Sequence, residues 1–331
     1  MHYSQNDSIL AEWDEGGPYQ ALLRSDCVGC HSGTNTGTAD WDTPYVNMFS
    51  GAPTYNNTGT ENDADTLAGG SFYWVNQVAS GSIGGDAAGH NVAGICNADQ
   101  TLVLPPGFDG GRAAADGSIP GGGTWPSGQQ VTCAGVYGCH GTHAEIVQTL
   151  AIHGAHHRDF GGARTSPGND PAAGYRFLVG IEGYEDPEWE FQPDQGNHNQ
   201  YKGLDSPETT NTSTISSLCA RCHGAYHDGG GQVGTGSPWF RHPTDYDMGN
   251  ADAAEYGNYG GSGVNAYVPA VPVASETITS VKTSVTFAND TIVTCVSCHR
   301  AHGSPYYKAM RWNYAGSATG GLCSECHSSK D

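Results

Sequence analysis

Hydrophobic positions along the chain come in short bursts separated by long polar stretches. Residues 32–71 and 80–131 are rich in Gly, Thr and Asn and read as loop. Between them Phe72, Tyr73, Trp74 and Val75 form a small aromatic cluster. Ser8–Glu15, with Ser8 as N-cap, and Tyr19–Ser25 read as short helical stretches, the second leading into Cys27. Thr142–His153 is the strongest helix, because Ile146, Val147, Leu150 and Ala151 recur at helical spacing. Thr212–Leu218 predicts a helical turn that delivers Cys219. Residues 263–294 read as β; Val285–Phe287 and Thr291–Val293 flank the turn pair Asn289-Asp290, which predicts a hairpin. Residues 303–331 read as a short helix and a tail. The expected fold is mostly irregular coil with short helices and a small β-hairpin, low in regular secondary structure. No run of 18 apolar residues exists, so nothing is expected to span a membrane.

Composition sharpens this. The chain has 49 Gly and 17 Pro among 331 residues and is only 14% charged. A chain so rich in turn-formers has thin material for a core of its own, and something else must fill it. The 34 acidic and 13 basic residues give a net charge of −21. That balance disfavours nucleic acid or an anionic membrane as partner and fits a cationic or metal-bearing one, or plain solubility. Eleven cysteines and few lysines predict export. Met1-His2-Tyr3-Ser4 lacks a basic and then apolar stretch, so a signal peptide removed ahead of residue 1 is expected.

Four segments carry the chemistry: Cys27-Val-Gly-Cys30-His31, Cys219-Ala-Arg-Cys222-His223, Cys295-Val-Ser-Cys298-His299 and Cys323-Ser-Glu-Cys326-His327. Cys-x-x-Cys-His is the attachment motif of haem c. Two thiols bond the two vinyl groups of one porphyrin edge, and the next residue aims its imidazole at the iron. Zinc sites use paired Cys-x-x-Cys but do not require His after the second cysteine, and a redox dithiol would occur once. A fifth segment, Cys133-Ala-Gly-Val-Tyr-Gly-Cys139-His140, keeps the Cys-His ending with five residues between the cysteines. A longer spacer can loop out while both sulfurs reach the vinyls; a Cys133–Cys139 disulfide is the alternative. Cys96 is left over, as a thiol or as a partner for Cys133.

The iron needs a second axial ligand. Besides the five motif histidines there are ten others and only four Met, which favours bis-histidine haems. His227 and His302 follow a motif histidine by four and three residues and cannot easily reach the far face of their own haem. Each is expected to ligate a neighbouring one. His242, His90, the His156-His157 pair and His2 are the next candidates, ahead of His143, His153 and His198. The chain is thus expected to form one domain over residues 1–331, wrapped around a chain of c-type haems. Residues 1–160 would carry the sites near 27–31 and 133–140, and residues 161–331 the other three.

Segments around the motifs add a resemblance. Gly69-Gly70-Ser71-Phe72-Tyr73-Trp74, Gly89-His90-Asn91-Val92, Tyr175-Arg176-Phe177-Leu178, His198-Asn199-Gln200-Tyr201-Lys202-Gly203 and Ser237 through Asp245 run through most of the chain. With Met1-His2-Tyr3-Ser4, Cys133 through Gly141 and Gly154-Ala155-His156-His157, they resemble the surface multihaem cytochromes of metal-reducing bacteria and archaea, including those that polymerise into extracellular filaments. The resemblance implies export, closely spaced haems and bis-histidine ligation. It also implies a homopolymer that can share an axial histidine between subunits, for which His2 is the best donor, and electron exchange with other cytochromes or extracellular acceptors. The Cys133–His140 spacing departs from the common four-haem filament pattern. The expected function is non-catalytic electron transfer at the cell surface. The alternatives are a discrete periplasmic or surface carrier and a multihaem reductase with one open haem. No motif ends in Lys, one known mark of such an open haem.

Overall fold

The structure is a computed structural model that describes residues 27–37, 43–48, 51–55, 65–76, 85–99, 102–108, 124–155, 161–165, 170–205, 212–227, 242–250, 259–261, 264–314 and 321–327. The two helices expected before Cys27 lie outside the described residues, as do His2, His156 and His157. The rest is coil with short helices and small sheets, as the sparse hydrophobic pattern implies. The helical segments are α1 (Cys27–Cys30), α2 (Tyr73–Asn76), α3 (Gln148–Ala151), α4 (Ile215–His223) and α5 (Cys295–Cys298). The strands are β1 (Thr132–Ala134), β2 (Gly138–His140), β3 (Gly162–Arg164), β4 (Gly183–Glu185), β5 (Gln200–Lys202), β6 (Tyr246–Asp247), β7 (Ala274–Ser275) and β8 (Ile292–Val293).

One sheet has six strands in the order β3-β4-β5-β7-β8-β6. Only β5 and β7 pair in parallel, with Tyr201 opposite Ala274; Ala274 in turn faces Ile292. Because side chains alternate along a strand, each face of this sheet meets its own core. Tyr201, Ala274 and Ile292 join Tyr175, Ile215 and Leu218 on one side. Val273 and Val293 join Tyr259, Tyr267 and Trp312 on the other. A third and smaller cluster, Phe72, Val75 and Val92, holds the earlier part of the chain. At about 1.5–3 kcal/mol per buried large aliphatic or aromatic side chain, that small cluster contributes far less than the two around the sheet.

Two expectations change. Of residues 291–293, Ile292 and Val293 do enter a strand, but its partners are Tyr246–Asp247 and Ala274 rather than Val285–Phe287. Asp247 decides this: its buried carboxylate accepts from Thr291 Oγ1 at 2.7 Å and Asn289 N at 2.6 Å, which binds the 289–291 turn to β6. Val285 N instead donates to Asn265 O. The helix expected over Thr142–His153 shrinks to α3. Its first half is drawn towards β1 and β2. Glu145 O accepts from Val136 N, and the Gln148 side chain accepts from the Cys133 and Ala134 amides. Ile146 and Val147 are left exposed.

Candidate functional site

Each of the four Cys-x-x-Cys pairs sits in one helical turn, which places residues i and i+3 on one face. α1, α4 and α5 hold the first three pairs, and a 3₁₀ turn over Gly321–Glu325 holds Cys323. The turns are fixed by ordinary capping. Thr214 caps α4 by accepting from Ser217 N at 3.2 Å, and Thr294 and Ser297 form a capping box on α5. Cys133 and Cys139 reach the same arrangement by another route. β1 and β2 pair in parallel with Thr132 opposite Gly138 and Ala134 opposite His140, so Cys133 lies beside Cys139. Paired residues on neighbouring strands share a face and are about 4.8 Å apart. No disulfide is formed among the described residues.

Four of the motif imidazoles are anchored through Nδ1 on a backbone carbonyl. His31 Nδ1 donates to Pro44 O (2.9 Å), His140 Nδ1 to Arg176 O (3.0 Å), His223 Nδ1 to Pro106 O (2.7 Å) and His299 Nδ1 to Lys308 O (2.8 Å). With Nδ1 committed as donor, Nε2 carries the lone pair that a metal takes. Burial holds the His140 and His299 imidazoles below their ordinary pKa, pulls His223 down to about 4 and His302 down to about 3, and neighbouring imidazoles act in the same direction. All four stay neutral, the form that binds iron. Burial also pushes the Cys222 and Cys298 thiols up to about 12. Cys139 and His299 remain exposed to solvent.

The other histidines face these. The His302 ring lies 6.4 Å from that of His140, His90 5.9 Å from His223, and His242 6.0 Å from His327, centroid to centroid. Two imidazoles on opposite faces of one metal, each bonded at about 2.0 Å and with about 1.1 Å from nitrogen to ring centre, have centroids about 6.2 Å apart. The residues present therefore fit haem with two histidine ligands at these three places. Glycines build two of the pairs. Three segments cross at Gly70, Gly89 and Gly303; a Cβ on Gly70 would lie 2.0 Å from Gly303 O, and one on Gly89 2.3 Å from His302 O. The same crossing seats His90, whose Nδ1 donates to Ala301 O.

His227 is placed differently. Its Nε2 meets Asp245 Oδ2 at 2.9 Å, and Nδ1 is buried with no hydrogen-bond partner. His198 uses both ring nitrogens, on Asn199 O and Lys282 O, and stacks on Tyr267 at 3.7 Å.

The motifs neighbour one another in chain order. His31 lies close enough to act on His140 and His302. Arg221 of the Cys219 motif donates to Gly138 O and Val136 O. The Cys219 and Cys295 thiols lie close enough to act on each other, and Cys295 N donates to Ser216 Oγ. Cys298, Cys323 and Cys326 pack on the same core cluster.

Sequence reading missed the carbonyl acceptors behind the imidazoles and the buried arginines. Arg176 and Lys308 each have a left-handed backbone, with φ of 49° and 60°, followed by a second left-handed residue, Phe177 or Ala309. Tyr175-Arg176-Phe177 and Tyr307-Lys308-Ala309 are thus one device used twice, and the shared Tyr-basic pair is the signal that could have found it. Arg176 is pinned by Glu185 Oε1, which accepts from its backbone N, and by Asn199 Oδ1, which accepts from its guanidinium. Arg221, Arg300 and Arg311 are all buried; Arg221 and Arg311 donate to carbonyls inside the motifs, Gly138 O and Val296 O, and Arg300 donates to Ala68 O.

Residues 287–331 match the family described as a doubled CXXCH motif. The chain is 28% identical to C-type cytochrome OmcS of Geobacter sulfurreducens over 343 aligned positions, which span 89% of this chain and 71% of OmcS. Among solved structures it matches the outer membrane cytochrome S filament of Geobacter sulfurreducens at 20% identity and a TM-score of 0.38, covering 89% of this chain and 76% of that one. This chain thus repeats Cys-x-x-Cys-His, the attachment motif of haem c, and is similar to a c-type cytochrome along most of its length.

Proposed function

We propose that this chain is a non-catalytic extracellular electron conduit that holds five closely spaced haems and polymerises into a filament. Haem c supplies the one-electron chemistry when bound. Cys27/Cys30, Cys133/Cys139, Cys219/Cys222, Cys295/Cys298 and Cys323/Cys326 attach it, and His31, His140, His223, His299 and His327 are the proximal ligands. His302, His90 and His242 serve opposite His140, His223 and His327. The observation that carries the reading is the set of three facing imidazole pairs at 5.9–6.4 Å. An iron site closed by two histidines binds no substrate, which disfavours a reductase. The succession of motifs in chain order supports a single row of sites, and so a single domain over residues 1–331. Hydrogen bonds such as Tyr55 Oη to Arg311 O join the early and late parts.

Polymerisation and a surface location rest on the similarity to OmcS and on the filament named in the solved relative. Among the described residues no helix is long and apolar enough to cross a membrane. His2 and the His156-His157 pair remain the donors we assign to the sites still lacking a partner, His2 across the subunit contact. Electron microscopy and visible spectroscopy on the same purified holoprotein test the proposal. Long thin filaments with only low-spin, six-coordinate haem are expected. Isolated particles at every concentration would remove the polymer, and a high-spin signal in the intact protein would favour the reductase.

A further inference from the structure

Four attachment sites rely on a helical turn to bring two thiols together, and the fifth has none. Between Cys133 and Cys139 the chain makes a five-residue excursion through Ala134 and Gly138. It turns at Gly135, whose φ is +90° and where a Cβ would lie 2.4 Å from Glu145 O. The excursion ends in two backbone carbonyls, Val136 O and Gly138 O, and both are taken by one side chain. Arg221 donates Nη1 to Gly138 O at 2.9 Å and Nη2 to Val136 O at 3.2 Å. Arg221 is 2% exposed. It is also the second spacer residue of Cys219-Ala-Arg-Cys222, so its own backbone is fixed by α4.

A guanidinium suits this task. Its planar fork presents several N–H donors in fixed directions, so one group can hold two carbonyls at a set separation; an ammonium, a point charge on a flexible stem, cannot fix that separation. We propose that Arg221 is a positioning residue for haem attachment at Cys133 and Cys139. It holds the excursion folded so that the two thiols stand side by side, as a helical turn does elsewhere. The inference rests on the reading that Cys133 and Cys139 carry haem. In each attachment a thiol S–H adds across one vinyl double bond, sulfur to one carbon and hydrogen to the other, with nothing released and no oxidant consumed. Both additions need both sulfurs at the same porphyrin edge, and that condition is what Arg221 supplies. One motif thereby makes its neighbour competent, and the long-spacer site depends on α4 having formed.

The test uses the full chain made in a host that attaches haem c. Haem is counted by intact mass under denaturing conditions and located by peptide mapping. Arg221→Met is expected to lose haem from the Cys133–His140 peptide in most chains while the Cys219–His223 peptide keeps its own. A second variant deletes Gly135, Val136 and Tyr137, which leaves two residues between the cysteines. In that background Arg221→Met should cost no haem, because the short spacer forms its own turn. Full haem at the Cys133–His140 peptide of Arg221→Met overturns the proposal. So does a loss that persists in the shortened background, which would mark general unfolding. A native Cys133–His140 peptide without haem overturns the attachment reading itself and is seen before any variant is made.

Discussion

Cys219–His223 and Cys133–His140 offer the same chemical groups by unlike means. In the first, nine residues of α4 and one cap place both thiols by local contacts, and only the imidazole reaches away, to Pro106 O. In the second, a parallel pair of three-residue strands does so, held by Gln148, Glu145 and Arg221 from elsewhere in the chain. A locally organised site tolerates change around it. A site organised at a distance fails when any of its supports moves. The same contrast separates the sheet region, with its two cores, from residues 27–108, where one small cluster does the work.

The largest effect expected from this contrast is at Gly141, which follows His140. Its φ is +71°, and a Cβ there would lie 2.1 Å from Ala151 O. Gly141→Ala combines left-handed strain with a backbone clash and should cost at least about 3 kcal/mol. It should also strip haem from Cys133–His140. Denaturant unfolding of the holoprotein together with peptide mapping measures both. A cost below about 1 kcal/mol with haem retained would mean that the strand pair does not hold the site.

A smaller effect is expected at the local site. Thr214 caps α4, and its hydroxyl also donates to Asp245 Oδ2 at 2.6 Å. Asp245 is fully buried, and burial raises its pKa, so losing one donor matters there. Thr214→Ala should cost about 1–2 kcal/mol in the same unfolding measurement. The haem count should not change, because the turn that carries Cys219 and Cys222 is made by its own residues. Loss of haem from Cys219–His223 would erase the distinction between the two kinds of site.

The same divide between local and distant contacts decides what could be read from sequence. The four motifs and the turn that delivers Cys219 are written in consecutive residues, and they are plain. Thr142–His153 looked helical because four apolar positions had the right period. The period could not reveal that Glu145 O and the Gln148 side chain are claimed by β1 and its excursion. The β8 hairpin failed for a similar reason, since Asp247, more than forty residues away, holds the 289–291 turn. For His302, spacing excluded the far face of its own motif. Which imidazole it meets depends on three glycine segments crossing at Gly303, and no local pattern encodes that crossing.

The smallest expected effect concerns the carbonyls behind the imidazoles. His31 and His223 use Pro44 O and Pro106 O, whereas His140 and His299 use Arg176 O and Lys308 O on left-handed backbone. Lys308 is exposed, so its side chain can be exchanged with little effect on packing. Lys308→Gly keeps a φ near 60° within reach. Relief of strain and the added freedom of the unfolded chain nearly cancel, so stability should change by less than about 1 kcal/mol. Lys308→Pro forbids that φ and should withdraw the carbonyl from His299 Nδ1 while leaving Cys295 and Cys298 in place. An imidazole that loses this acceptor is a weaker electron donor to its metal. Electron paramagnetic resonance of the oxidised protein should therefore show one low-spin signal displaced in Lys308→Pro and none in Lys308→Gly. Identical spectra for both variants and the native protein would mean that the left-handed turn serves only to route the chain, and that the proline and basic carbonyls are equivalent supports.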